Sequence, residues 1–400
     1  MFGICLPNYY ICNRNEKKIK QVNINLTIFK EMNKKLFFLA IAALGLAACS
    51  NDDVVEINQS NAISFRPLTN NVTRASEKTS WTTGDILDVF AEYKVGDADA
   101  AKFFKDNFTK VEDANFQSTA KYYWPAMTGN SMIFTAFYGV EQSSTTAGSI
   151  TSAFTPATSA SSQTDILYAH KTISNAAEQP VVLNFRHMLS QVAVNVKNSN
   201  NGLKFSITGV RIGYLSTSGT TFACTEETDG DGNLAQNTWT PAALTGEAVQ
   251  KANLNKYDQT FSAFAVNGKV DEGLAITGFS NWMLIPQSQT TATAYAQSKS
   301  SGTSTDNPEL NGAYIAIQMA IMNNDASGTS IIAQQWCYWP ITLNWTPGYK
   351  YTYTVDLAGG GYQPTDKTND GNLDPVLGTP IEISASCTID AWDTSAIAIP

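Results

Sequence analysis

Residues 183–196, LNFRHMLSQVAVNV, indicate the fold class of this 400-residue chain. The odd positions 183 to 189 hold Leu, Phe, His and Leu, and the even positions 192 to 196 hold three valines. A period of two is typical of a β-strand that buries one face, so His187 is expected to be a core histidine. The change of phase at Ser190-Gln191 predicts a β-bulge.

The same alternation recurs in residues 341–345, 351–357 and 381–389, whereas helical periodicity is nearly absent. Turn signals such as Asn267-Gly268 separate the strand patterns. We therefore expect an all-β fold. A boundary near Gln179-Pro180 would divide it into an N-terminal β-sandwich, residues 62–179, and a C-terminal β-sandwich, residues 180–400.

The composition excludes several classes of function. A net charge of −9 and a pI near 4.8 argue against a nucleic-acid binder, which needs a basic face. Two histidines in the whole chain argue against a His-rich metal site or a His relay. The loops at 227–238 and 366–377 begin like calcium-binding loops but lack the final Glu, and they are interpreted as turns. No catalytic residue, metal site or cofactor is predicted.

The N-terminal segment has the pattern of a secretory signal. Lys34 and Lys35 precede an apolar run from Leu36 to Ala48, which is too short to cross a bilayer comfortably. Cys49 directly after Leu-Ala-Ala resembles a bacterial lipobox, whose Cys is acylated; the alternative is an ordinary signal with an incidental Cys. Residues 1–31 are interpreted as an over-extended start, 32–48 as the lipoprotein signal peptide and 49–61 as a tether.

Three cysteines remain beyond the tether, namely Cys224, Cys337 and Cys387, and none has C-x-x-C spacing. At most one disulfide is possible among them, and zinc-ligand spacing is absent. All three are interpreted as buried small hydrophobes.

Several segments together resemble the fimbrillins, the lipoprotein-derived subunits of type V pili. They span residues 62 to 400 in a characteristic order: WTTGDI at 81–86, YYWP at 122–125, FTAFY at 134–138, LNFRHMLSQV at 183–192, NWTPGYKY at 344–351 and the strand pattern at 383–392. The resemblance implies two tandem transthyretin-like (Greek-key) β-sandwich domains after the lipoprotein signal segment.

The resemblance also implies a polymerisation cycle. A lipidated precursor reaches the outer membrane, an arginine-specific protease removes an N-terminal strand, and a strand from a neighbouring subunit replaces it. The Arg74-Ala75 bond is the better processing site, because Pro67 follows Arg66 and blocks most trypsin-like cleavage. The removed strand would be residues 62–68, with Ile63 and Phe65 on one face.

An incoming strand satisfies the unpaired backbone and the apolar groove of an open sheet edge. Residues 396–399 alternate small and large side chains, so Ile397 and Ile399 are candidate groove-filling residues of the donor strand. A frayed tail is an equally weighted interpretation.

The sequence thus predicts a non-enzymatic pilus subunit that is lipid-anchored to the outer membrane at the cell surface, or fimbrium. Its predicted partners are other pilus subunits and an arginine-specific protease, with no surface ligand named. One alternative is a non-polymerising, glycan-binding surface lipoprotein, which predicts exposed clusters of Trp81, Trp239, Trp282 and Trp336. A second alternative, a glycoside hydrolase, needs two carboxylates about 5 to 9 Å apart in a cleft.

Overall fold

The computed structural model describes residues 62–68, 80–112, 115–174, 180–220, 239–244, 255–295, 309–363, 373–378 and 385–391. The described residues from Ile63 onward form one compact unit. The described part contains β-strands and two short 3₁₀ turns, Ala160–Ser162 and Leu357–Gly359, and no α-helix. The predicted all-β class is therefore confirmed.

The first sheet has eight strands in the order β7-β1-β4-β3-β2-β5-β6-β8. Their bounds are β1 Phe65–Leu68, β2 Ile86–Val95, β3 Ala101–Lys110, β4 Phe116–Gln117, β5 Asn130–Tyr138, β6 Leu167–Ile173, β7 Val181–Asn184 and β8 Arg186–His187. Because Phe185 alone separates β7 from β8, the two ends of this order are consecutive in the chain. The sheet consequently curls around its own apolar core, which includes Leu87, Val89, Phe134 and Phe185.

The rest of the described chain forms a sandwich of two larger sheets and some short pairings. Its strands are β9 Ser190–Asn198, β10 Leu203–Gly213, β11 Gly219–Thr220, β12 Thr240–Pro241, β13 Lys256–Asn267, β14 Val270–Ala275, β15 Trp282–Leu284, β16 Ser288–Gln289, β17 Thr293–Tyr295, β18 Glu309–Asn311, β19 Tyr314–Asn323, β20 Ser330–Pro340, β21 Leu343–Asn344, β22 Tyr349–Asp356, β23 Tyr362–Gln363, β24 Asp374–Pro375 and β25 Ala385–Ala391.

One face of the sandwich has the order β13-β10-β19-β20-β23-β24, and the other has the order β14-β9-β22-β25, with β15 also paired to β9. The alternation predicted for residues 351–357 is confirmed, because Tyr351, Tyr353, Val355 and Leu357 are all buried in the core between the sheets. The valines of β9 face the same core.

The predicted β-bulge at Ser190-Gln191 is wrong. Strand β8 ends at His187 in the first sheet, and β9 begins at Ser190 in the sandwich, where it pairs with β22 in unbroken register. The phase changes because the chain crosses from one core to another. Leu183 and Phe185 pack in the first core, and Val192 packs in the second.

The predicted division at Gln179-Pro180 stays a prediction as a domain boundary. The strand pairing, however, carries the first sheet past it, because β7 pairs with β1 and β8 pairs with β6. The change of sheet lies between His187 and Ser190, since β9 is the first strand paired within the sandwich.

The cysteine interpretation is right for one residue and wrong for another. Cys337 is fully buried in the sandwich core, and burial raises the pKa of its thiol to about 12. Cys387 is exposed, because it lies on the edge strand β25. Both are free thiols, and Cys224 lies outside the described residues.

Candidate functional site

The strand predicted to be removable, β1, closes the curled first sheet. It pairs in parallel with β7 at four positions, Phe65↔Val181, Arg66↔Val182, Pro67↔Leu183 and Leu68↔Asn184. On its other side it pairs with β4 at the single position Phe65↔Phe116. Since β7 pairs with no other strand of the described chain, β1 alone joins β7 to the strand order that runs from β4 to β8.

Two apolar side chains anchor β1 and the residues just before it in the first core. Ile63, which lies just before β1, is 3% exposed, and Phe65 is 0% exposed. The Arg66 side chain is exposed. The ring of Phe65 makes edge-to-face contacts with Phe108 at 4.8 Å and Phe134 at 5.2 Å between centroids. Fully burying a side chain of this size stabilises a fold by about 1.5 to 3 kcal/mol.

The backbone of β1 is paired with β7 at all four of its residues and with β4 at one. The Ile63 amide donates to the Tyr122 carbonyl at 2.8 Å, and the Val181 amide donates to the Ser64 carbonyl at 2.9 Å. Pro67 has no N–H to donate. A short strand with parallel pairing on one side and one antiparallel position on the other has few hydrogen bonds to replace.

We call the space filled by Ile63 and Phe65 the β1 groove. Its walls include Phe108 and Phe134, which touch the Phe65 ring, and Phe116 and Val181, which lie opposite Phe65 in register; all four are fully buried. If β1 left, these side chains would be uncovered, and the Val181 amide and the Tyr122 carbonyl would lose their present partners. The arrangement meets both conditions for accepting another strand.

The loop at the Ile63 end of the β1 groove, which we call the groove entry, is held in place by Tyr122. The Tyr122 ring stacks on Phe104 with centroids 4.1 Å apart, and its hydroxyl donates to Asp106 Oδ2 at 3.1 Å. Partial burial raises the pKa of Tyr122, and the hydrogen bond to Asp106 raises it further. Neither the sequence pattern nor the spacing singled out Tyr122 as the backbone partner of Ile63.

The remaining predicted site residues lie outside the described residues. These are Cys49, the processing residues Arg74 and Ala75, and the donor residues Ile397 and Ile399. The described chain resumes at Ser80, and Trp81 then packs edge-to-face on Phe116 and Phe185 of the first core. The undescribed segment that holds Arg74 therefore connects β1 directly to a residue of the same core.

His187 is buried, as expected of a core histidine. Its Nδ1 lies 2.9 Å from Asp165 Oδ2, and Asp165 is 1% exposed. No group of three His, Cys, Asp or Glu side chains in the described chain is arranged to hold a metal ion. The described part also contains no helix long and apolar enough to cross a lipid bilayer.

The tryptophans do not form the exposed clusters that the glycan-binding alternative predicts. Trp239 and Trp282 are buried, Trp81 packs against the first core, and Trp336 is half-buried under the Arg211 guanidinium at 4.2 Å. None of the described tryptophans is exposed.

A polar groove of about 650 Å³ beside β13 is a possible cleft for the glycosidase alternative. Asp258 is the only carboxylate among the described residues that line it, and Arg211 Nε holds its Oδ1 at 2.6 Å. The described lining of the groove therefore offers one carboxylate and not the pair that glycoside hydrolysis requires.

Comparison with known families gives a match over most of the chain. The sequence model of a family described as fimbrillin-like matches residues 73–392. No curated protein matches the chain.

Some solved structures are also similar to this chain. A fimbrial protein from Bacteroides vulgatus ATCC 8482 has 13% identity and a TM-score of 0.49, with 83% of this chain and 99% of that chain covered. A candidate cell adhesion protein from Bacteroides ovatus ATCC 8483 has 14% identity and a TM-score of 0.40, covering 84% and 99%. Likenesses at these values carry no functional conclusion.

Proposed function

The chain belongs to the fimbrillin-like family, and from this premise we propose that it is a structural pilus subunit that polymerises by donor-strand exchange. The precursor is lipidated at Cys49 and anchored in the outer membrane. An arginine-specific protease cuts after Arg74, β1 leaves with the N-terminal segment, and a strand from another subunit enters the β1 groove. The role is structural and adhesive, not catalytic.

The observation that carries this proposal is the packing of residues 63–68. Ile63, just before β1, and Phe65, within it, are buried in the first core, while the backbone of β1 pairs with β7 along one side and with β4 at a single position. Departure of this segment would leave an apolar groove and unpaired backbone groups on β7. Cleavage after Arg74 would turn an intramolecular strand into a separate segment that dilution removes.

The sequence offers a replacement strand of the same pattern. Residues 62–65 read AISF, and residues 396–399 read AIAI. Placed in the same direction, Ile397 takes the position of Ile63, and Ile399 takes the position of Phe65. The smaller Ile399 side chain leaves part of the Phe65 pocket empty, which lowers the stability of the exchanged strand without changing its register.

The proposal is tested on the chain that begins at Cys49. Treatment with an arginine-specific protease is expected to give a new N-terminus at Ala75, read by mass spectrometry, and a ladder of multimers on a non-boiled denaturing gel. Arg74→Lys should abolish both results, while the matched control Arg66→Lys should leave both intact. Cleavage at Arg74 without multimers, or multimers without cleavage, would refute protease-triggered strand exchange.

A further inference from the structure

The edge strand β25 is exposed along almost its whole length. Residues 386–390 are all exposed, although their neighbours on β22 alternate between buried and half-buried. Ile389 lies opposite Tyr351, and Cys387 lies opposite Tyr353, both of which are buried in the sandwich core. Residues directly opposite one another share a face of the sheet, so Ile389 and Cys387 are on the core side.

In the described part of the chain, the core side of β25 is nevertheless exposed. Ile389 is 60% exposed, the highest value among the large exposed hydrophobic residues of the described chain. The opposite edge of the same sheet also has an exposed side chain on its core side. Leu274 on β14 is 38% exposed and lies opposite the buried Val196. Exposure alone therefore does not distinguish the two edges.

The length of chain between β25 and the donor residues distinguishes them. Ile397 follows Ala391, the last residue of β25, by six residues, which span at most about 20 Å when fully extended. A second copy that accepts Ile397 in its β1 groove must therefore lie within about 20 Å of Ala391, at the β25 edge. Leu274 lies farther away, three strands across the sheet and six register positions along it from Ala391. At the entry of that groove, Tyr123 follows the Tyr122 carbonyl that binds Ile63, and its side chain is 38% exposed.

We propose that the exposed core side of β25, centred on Ile389, is the surface that packs against the groove entry of the next subunit, centred on Tyr123. The inference rests on the proposed function, because strand exchange brings the two surfaces together. It adds a second contact beside the donor strand, in which two exposed apolar side chains are removed from water.

Cys387 provides a built-in probe of this contact. It is exposed on the same side of β25 as Ile389, two residues away. Maleimide labelling of the protease-treated chain, read at the Cys387 peptide by mass spectrometry, should show about tenfold slower reaction in multimers than in monomer, because access limits thiol reactivity. Equal labelling of monomer and multimers overturns the proposal.

Variants test the contact from both sides. Ile389→Asp and Tyr123→Asp should each slow growth of the multimer ladder by about tenfold, because each buries a charge in an apolar contact. The matched control Leu274→Asp, on the opposite edge, should assemble at the wild-type rate. Each variant monomer should keep the wild-type Tm, since the substituted side chains are exposed.

The outcomes separate the two proposals. Normal ladders from Ile389→Asp and Tyr123→Asp overturn this contact and leave strand exchange standing. A wild-type chain that is cut at Arg74 and forms no multimers overturns strand exchange and this contact with it. A slower ladder from Leu274→Asp as well would show a general charge effect and would also overturn the proposal.

Discussion

Phe65 is a residue whose packing contributes to the stability of the first sheet. It touches Phe108 and Phe134 and is completely buried. Phe65→Ala in the uncleaved chain should lower the free energy of unfolding by about 3 to 5 kcal/mol, because the substitution leaves a cavity in a closed core. Denaturant unfolding measures the change. Arg66→Ala, at the neighbouring exposed position, should stay within about 0.5 kcal/mol of wild type, and an equal loss there would contradict the packing argument.

Asp88 gives the first sheet a defined dependence on pH. Its Oδ2 accepts the Gln142 amide at 2.8 Å and the Lys105 ammonium at 3.0 Å, while its buried Oδ1 has no hydrogen-bond partner. Burial raises the pKa of Asp88 above its ordinary value, outweighing the hydrogen bonds and Lys105, which lower it. The carboxyl therefore favours folding most when it is protonated.

Replacement of Asp88 should reveal this contribution. A raised folded-state pKa stabilises the fold fully below the unfolded pKa, and this stability is lost as pH rises through the folded pKa. The unfolding free energy of wild type relative to Asp88→Asn should therefore fall as pH is raised from about 4 to 7. Asp271→Asn, at an exposed position on β14, serves as the control. If the unfolding free energy of wild type relative to Asp88→Asn instead rises with pH, the ion pair with Lys105 outweighs the effect of burial on Asp88.

The isolated β1 sequence should compete for its own groove. A peptide of residues 62–68, AISFRPL, added to the protease-treated chain is expected to stop the multimer ladder, because it restores the packing of Ile63 and Phe65. The same peptide with Asp at both positions should have no effect, since its backbone is unchanged but its apolar face is lost. Gel analysis over a peptide titration distinguishes the two. Equal inhibition by both peptides would show that backbone pairing alone fills the groove.

Sequence patterns predicted where the strands lie better than they predicted whether the core side of each strand is buried. The alternation in residues 351–357 identified a buried face correctly, and that in 381–389 identified a strand at 385–391 whose core side is exposed. A period of two states which side chains share a face, but it contains no information about what lies opposite. The same limit explains the stretch 183–196, where one phase change marks a crossing between two cores.

The candidate site was predictable only in part for a related reason. The two apolar residues of the removed strand follow from local alternation at Ile63 and Phe65. Their partner strand β7 begins at Val181, more than a hundred residues later. The other partner, β4, has only two residues and therefore no alternation of its own. Long-range pairing depends on the closure of the whole sheet, which no local window contains.

The first sheet and the sandwich should unfold together. Between them lies a buried cluster that combines Ile166 and Tyr168 with Met283 and Ile285. The Trp239 indole N–H donates to the Met188 carbonyl at 2.5 Å across this region. Hydrogen exchange in denaturant should therefore report one transition for amides of β5 and of β19, and two separated transitions would contradict a shared cooperative unit.

Gln163 is the side chain through which this coupling can be weakened. Its Oε1 accepts the buried Met283 amide at 2.6 Å, and its Nε2 donates to the Ala157 carbonyl at 2.9 Å. Gln163→Ala should lower the unfolding free energy by about 1 to 3 kcal/mol, because the Met283 amide loses its partner. Gln117→Ala, at an exposed position, is the matched control in the same denaturant titration.

The short passage from β7 through β8 to β9 has a mechanical consequence for a fibre built from this chain. A strand seated in the β1 groove lies parallel to β7, β9 follows within a few residues, and β22 lies parallel to β9 with β25 at its side. Tension that enters through the seated strand would therefore load its pairing with β7 along the strand axis, and tension that leaves through β25 would load the pairing of β25 with β22 in the same way. Hydrogen bonds pulled along the strand axis share the load and must yield together, whereas bonds pulled across it open one by one. The fibre would resist stretching most strongly along its own length.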